Sequence, residues 1–244
     1  MTPDKKTVYI ATPTYDGTVL GTTLEAVHKA CNAPDISIIH EVDVAGCSVI
    51  HHGFNKFWCF ALNMKPRPNW FCMLHADIRP EPGWLTKLLR LAIQYDAGML
   101  SALVPLKDNT DDYSACWLEE NKFGNLPYPI RRINKKDLKE LPPTFDYKMA
   151  GWPNFLGTNT GCCLWNFERS WVEKVHFAIP TDIVQGDDGI FRPVMLSEDW
   201  LMSYVLQKQF KETVMATSVV KLKHRGIKDY DSDCGFISNA ELAS

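Results

Sequence analysis

Residues 70–80 read Trp70-Phe71-Cys72-Met73-Leu74-His75-Ala76-Asp77-Ile78-Arg79-Pro80, an apolar run that meets a histidine and a carboxylate without a break. Five apolar residues with no alternation are expected of a central parallel strand covered on both faces. Upstream, Val8-Tyr9-Ile10-Ala11 reads as a strand stopped by Thr12-Pro13-Thr14-Tyr15-Asp16-Gly17, where Pro and Gly mark a turn. A helix is expected over 18–31, with Leu20, Leu24, Val27, Ala30 and Cys31 on one face. Ile36-Ser37-Ile38-Ile39 reads as a second strand, and a helical pattern over 49–62 is ended by Pro66 and Pro68. Downstream, Pro82 and Gly83 lead into a helix whose Trp84, Leu85, Leu88, Leu89, Ala92 and Tyr95 share a face, and 99–104 form another buried strand. The order β-α-β-α-β-α-β is the sign of a doubly wound α/β fold with a parallel sheet. Such sheets bind ligands at the carboxyl ends of their strands, so chemistry is expected in the turns after Ala11 and Leu74.

Over 105–150 the periodicity fades into a polar, proline-rich stretch with a basic cluster, Arg131, Arg132, Lys135, Lys136 and Lys139. A connection this long reads either as a lid or as a solvated loop. Beyond it, Gly161-Cys162-Cys163-Leu164-Trp165 reads as a strand, 168–176 and 198–209 as helices, and 213–223 as one or two strands. No repeat or linker interrupts the 244 residues, so one domain over 1–244 is expected.

With 45% hydrophobic and 23% charged residues, the composition is that of an ordinary globular protein. The apolar runs are too short to span a bilayer, and the polar start shows no signal peptide, which together predict a cytoplasmic protein. A formal charge of −3 gives no global attraction for nucleic acid or anionic lipid. The eight cysteines, at 31, 47, 59, 72, 116, 162, 163 and 234, form no Cys-x-x-Cys pair and are expected to be reduced and mostly buried.

Three segments can carry chemistry. In an extended segment His75 and Asp77 point the same way, so both can reach one ligand. A carboxylate there can hold Mg²⁺ or Mn²⁺ while substrate phosphates complete the coordination. On this segment alone, a turn residue before Pro80 explains Asp77 equally well. In Ser197-Glu198-Asp199-Trp200 the serine is a good N-cap and the acids suit the positive end of a helix dipole. Trp200, Leu201, Tyr204 and Val205 are expected to set the buried face, leaving the acids at the rim of the core. There a carboxylate can serve as general base on an acceptor hydroxyl, and periodicity does not choose between Glu198 and Asp199. Lys223-His224-Arg225-Gly226 ends a β-rich run; its histidine is either structural or a metal ligand. His51 and His52 fall in an expected helix as structural or substrate-facing residues. No G-x-G-x-x-G, phosphate-binding P-loop or G-x-S-x-G pattern is present.

Taken in order, these segments resemble the GT-A glycosyltransferases, particularly the family 2-like branch. Pro13-Thr14-Tyr15-Asp16 is similar to the family's first-strand end, and His75-Ala76-Asp77 stands where the family has Asp-x-Asp before a proline and a Leu-rich helix. Asn159-Thr160-Gly161-Cys162-Cys163 resembles the acceptor-side strand, Glu198-Asp199 the acid pair at a helix start, and His224-Arg225-Gly226 the late His-x-Gly. The resemblance runs from about Val8 to Gly226.

It implies a GT-A-type, Rossmann-like and mostly parallel sheet. The implied activity is metal-dependent transfer of a sugar from a nucleotide-sugar donor to a hydroxyl acceptor, inverting if a base deprotonates the acceptor, with a retaining enzyme on the same metal frame as the alternative. Residues 1–104 would form the nucleotide-sugar-binding half, 105–150 a lid and 151–244 the acceptor side. Thr12, Thr14, Tyr15, Asp16, His75 and Asp77 would meet the nucleotide sugar. Asp77 and His224, with His75, would hold Mn²⁺ or Mg²⁺. Asp199 would be the base with Glu198 beside it, and Asn159, Gly161 and Trp200 would line the acceptor side. His75 departs from the family's first Asp, which leaves a non-catalytic glycan- or nucleotide-binding module as an alternative. The acceptor is expected to be a saccharide or glycoconjugate. A hydroxylated base in DNA is the alternative, met through Arg131 to Lys139 together with Lys221, Lys223, Arg225 and Lys228.

Overall fold

The computed structural model describes residues 5–43, 49–108, 110–118, 130–153, 155–186, 188–226, 229–231 and 235–237. Its first half runs β1 (Lys6–Pro13), α1 (Gly21–Ala30), β2 (Ile36–Asp43), α2 (Ile50–Asn63), β3 (Trp70–Leu74), β4 (Ile78–Pro80), α3 (Trp84–Gln94) and β5 (Met99–Ala102). Then come β6 (Asp112–Leu118), β7 (Ile130–Asn134), β8 (Thr144–Phe145), β9 (Leu156–Gly157), β10 (Cys162–Asn166), β11 (Thr181–Gln185) and β12 (Phe191–Met195). The order closes with α4 (Glu198–Lys208), β13 (Val214–Thr217), β14 (Leu222–Arg225), β15 (Asp229–Asp231) and β16 (Gly235–Ile237).

Seven strands form the main sheet in the order β2-β1-β3-β10-β5-β13-β8. β2, β1, β3, β5 and β13 run one way, while β10 and β8 run the other. The sheet is therefore mixed and mostly parallel. Its two faces follow from strand alternation. Val8, Ile10, Cys72 and Leu74 face α1 and α3, whereas Tyr9, Ala11, Phe71 and Met73 face α2 and α4. Helices thus cover both faces. On the second face Trp58 stands edge-on to Phe167 at 4.7 Å and donates its indole N–H to the Val172 carbonyl at 2.9 Å. Trp165, Trp171 and Phe177 complete this aromatic core.

Several expectations need correction. The buried face of α1 is Thr23, Ala26, Val27 and Ala30, and Leu24 points to solvent. Small residues bring α1 close to the sheet, and the Thr23 hydroxyl donates to the Ile78 carbonyl at 2.7 Å. Residues 168–174 are successive turns and 175–176 irregular, rather than a helix over 168–176, begun by the Glu168 N–H on the Asn166 side chain at 3.1 Å and shaped by burial of Trp171 and Val172. The 105–150 stretch is not a structureless lid. β6 pairs with β7 and β9 in a small antiparallel sheet, and β8 joins the edge of the main one. In α4 the buried residues are Glu198, Trp200, Met202, Ser203, Leu206 and Gln207, while Leu201, Tyr204 and Val205 are only partly buried. Cys72, Cys116, Cys162 and Cys163 are buried free thiols, but Cys31 and Cys59 are exposed; Cys47 and Cys234 lie outside the described residues.

Candidate functional site

At the carboxyl ends of β1, β2 and β3 lies a cavity of about 390 Å³, lined by Pro13 to Asp16, Thr18, Leu20, Asp43, Ile50, Gly53, Phe54 and His75 to Asp77. The turn after β1 is set by its own side chains. Thr14 donates to the Asp43 carbonyl and accepts from the Gly17 N–H at 3.1 Å, and Asp16 accepts from the Thr18 N–H at 2.9 Å. Gly17 has φ of +80°, a conformation that costs a side-chain-bearing residue energy. Those bonds to Thr18 hold the Asp16 carboxyl below its ordinary range. Asp43, at the end of β2, pairs with Lys56 of α2 at 3.2 Å.

The floor of the cavity is a braced turn. The His75 N–H donates to the Gly161 carbonyl at 2.8 Å, Ile78 to His75 at 3.1 Å, Leu20 to Ala76 at 2.9 Å and Arg225 to Asp77 at 2.8 Å. The Asp77 side chain therefore projects from backbone that is held without it. On its Oδ2 sits the Lys107 ammonium, and His224 Nε2 lies 3.6 Å away. β14 pairs with β4, placing His224 opposite Ile78. His224 Nδ1 is 2.8 Å from the Pro105 carbonyl. A carbonyl only accepts, so Nδ1 carries the proton and Nε2 is the atom turned toward Asp77. Burial alone would raise the Asp77 carboxyl, but His224, Lys107 and His75 outweigh it and hold the group well below the usual carboxylate range. The His75 ring lies tilted against Phe54, with centroids 5.6 Å apart, and shares a hydrogen bond with Thr160 at 3.2 Å. Burial pushes its imidazole down to about 4, so it is neutral near pH 7.

Among the described residues no group of three or more His, Cys, Asp or Glu could hold a metal by itself. Asp77, from the turn before β4, and His224, from β14, nonetheless converge as an oxygen and a nitrogen donor. His224 has the second-nitrogen hydrogen bond usual for ligating histidines. Two protein donors suffice for Mg²⁺ or Mn²⁺ when phosphate oxygens complete the shell. The pair fits such an ion, and the neutral His75 stands beside it.

The acid pair sits nearby, outside the cavity lining. α4 precedes β13, which runs parallel to β5, so its first turn lies at the same edge as the ends of β1 and β3. Ser197 does not cap the helix through its side chain; its hydroxyl donates to Asp199, which also accepts the Trp200 N–H at 2.8 Å. Burial first, and then the neighbouring Glu198, push the Asp199 carboxyl up to about 7. Burial also raises Glu198, whose charge feels His51 at the start of α2.

Thr14, Tyr15, Asp16, His75 and Asp77 therefore meet at one cavity, and His224 joins them through Asp77. Thr12 does not: it is fully buried, hydrogen-bonded to His40 at 2.9 Å. Asn159 is a brace rather than a free acceptor-side group, donating to Ala102 at 3.0 Å and accepting from the Gly161 N–H at 2.9 Å. Trp200 is nearly buried under Arg132, whose guanidinium lies 5.2 Å from its ring. Asp43, Lys56 and Lys107 were not expected from the sequence. Asp43 could have been found by carrying β2 past Ile39 through His40-Glu41-Val42; nothing local marks Lys107. In the basic cluster, Arg131 lies 4.9 Å over the Trp117 ring and pairs with Asp137 at 3.3 Å, so two of its five members pack against this chain. Lys228 lies outside the described residues.

Gly161 has the tightest backbone approach here. A Cβ added there would meet Ile78 Cδ1 at 2.7 Å and Val104 Cγ2 at 3.1 Å. Gly161→Ala is expected to cost about 1–3 kcal/mol in urea unfolding, from overpacking behind His75.

No family model and no curated protein matches the chain. Among solved structures it is similar to A197 from STIV, with a TM-score of 0.56 at 14% identity, covering 96% of this chain and 93% of that one. That likeness is one of fold alone. S. aureus TarS 1-349 superposes with a TM-score of 0.32 at 8% identity, over 70% of this chain and 50% of that one. No helix among the described residues is long and apolar enough to cross a membrane.

Proposed function

We propose that the chain is a metal-dependent glycosyltransferase that moves a sugar from a nucleotide-sugar donor to a hydroxyl of a saccharide or glycoconjugate. The observation that carries this reading is the Asp77 carboxylate, kept ionised by His224 and Lys107 at the floor of a cavity formed by the ends of three parallel strands. Thr14, Tyr15 and Asp16 form the wall that meets the nucleoside. Asp77 and His224 hold the divalent ion, which when bound supplies positive charge against the diphosphate leaving group. His75, neutral near pH 7, offers a hydrogen bond to the donor in place of a carboxylate.

Asp199 is the base. Its carboxylate takes the proton of the acceptor hydroxyl as that oxygen bonds to the anomeric carbon. The bond from that carbon to the diphosphate breaks, and its electron pair leaves with the nucleoside diphosphate. Attack from the face opposite the leaving group inverts the anomeric centre. A base poised near the working pH suits this task, and the burial of Asp199 beside Glu198 supports the assignment.

Incubation with a panel of nucleotide sugars and Mn²⁺ tests the reading. Slow release of nucleoside diphosphate without acceptor is expected from at least one donor. Absence of both binding and hydrolysis for every donor, with metal present, would refute it.

A further inference from the structure

We propose that Lys107 is an internal competitor for the cation position at Asp77, so that its ammonium and a divalent ion exclude one another there. This rests on the reading of Asp77 and His224 as the ion's protein donors. Lys107 Nζ bonds to Asp77 Oδ2, the same oxygen that His224 Nε2 faces at 3.6 Å. An ion drawing on both donors would need the space next to that oxygen. An ammonium is a donor with no lone pair to give a metal, so it cannot share the site as a ligand.

The placement is built rather than incidental. The same loop that carries Lys107 supplies the Pro105 carbonyl that orients His224. That loop is braced on β6: the Leu106 N–H donates to Asp112 at 3.0 Å and Ser114 to Val104 at 2.7 Å. Both charged side chains are about a third exposed, at 39% for Lys107 and 36% for Asp77, so the pair is wet enough to open. Once displaced, a lysine is a point charge suited to phosphate. Its release would favour a divalent ion arriving together with a diphosphate over the ion alone.

The test is Mn²⁺ binding to the whole chain without nucleotide, read from the free-ion electron paramagnetic resonance signal. Lys107→Met is expected to bind Mn²⁺ about ten-fold more tightly than the parent, the scale of one partly screened charge pair. Lys107→Arg, which keeps the charge, should gain nothing, and adding Asp77→Asn to Lys107→Met should abolish the gain. Equal Mn²⁺ affinity in the parent and Lys107→Met would overturn the proposal, as would no Mn²⁺ binding by Lys107→Met with its unfolding temperature intact. This result is independent of the donor panel. A panel without donor binding, alongside a Lys107→Met gain, would sink the transferase reading and leave the lysine competition standing.

Discussion

Replacing Asp77 by Asn is expected to weaken Mn²⁺-dependent nucleoside diphosphate binding by about 100-fold or more, the scale of removing one partner of a desolvated charge contact. The substitution keeps shape and removes only the charge that attracts a cation. Its fold should survive, because the 75–78 turn is held by backbone bonds to Gly161, Leu20 and Arg225 rather than by the carboxylate. Asp77 is depressed below its ordinary value, so its stabilising contribution is present at neutral pH and fades only on strong acidification. With that side chain about a third exposed, the cost of Asp77→Asn at pH 7 should stay under about 1 kcal/mol. Isothermal titration with nucleoside diphosphate, with and without Mn²⁺, separates lost binding from lost folding. Unchanged metal-dependent affinity would remove Asp77 from the site.

Asp199→Asn should do the reverse, sparing nucleotide binding while lowering kcat by about 10²–10⁴-fold, the usual contribution of a positioned base. The parent's kcat is expected to rise with pH through about 7, because the base works only when deprotonated and its carboxyl is pushed up to that value. The variant should lack this limb. Stability moves the other way. A folded-state value raised from 3.8 to about 7 means the fold favours the protonated acid, so its contribution is complete below pH 4 and lost as pH rises to about 7. Urea unfolding at pH 5 and pH 8 should therefore show the parent losing stability relative to Asp199→Asn. Full transfer activity in that variant would move the base elsewhere, with Glu198 the next carboxylate along.

Where one residue pattern has one physical reading, the sequence was legible. The unbroken apolar run 70–74 is fully buried between two helical layers, and Trp84, Leu85, Leu88, Leu89 and Ala92 form the buried face of α3 as their spacing predicts. Strand direction is a different matter. Cys162 to Trp165 is as apolar as β3, yet β10 enters the sheet antiparallel, and burial on both faces does not record direction. The 105–150 stretch hid its strands because β6, β7 and β8 are short and set by pairing with distant residues, although Tyr113, Ala115, Trp117 and Ile133 are buried in a cluster of their own. Residues 168–176 have helix-like spacing, but the aromatic core around Trp58 fixes Trp171 and Phe177 instead. The site divided along the same line. His75, Asp77 and the 14–16 turn lie at strand ends, where ligands to a parallel sheet are expected, and they do share a cavity. Lys107 reaches Asp77 across 30 residues through a loop, a meeting that only the tertiary structure reveals.

The central claim is that this cavity takes a nucleoside diphosphate with its phosphates at Asp77. A crystal structure of the chain grown with a nucleoside diphosphate and Mn²⁺ tests it most directly. The expected result is an anomalous manganese peak touching Asp77 and His224, with the diphosphate on it and the nucleoside against Thr14, Tyr15 and Asp16. Nucleotide bound at any other surface, or manganese held away from Asp77, would contradict it.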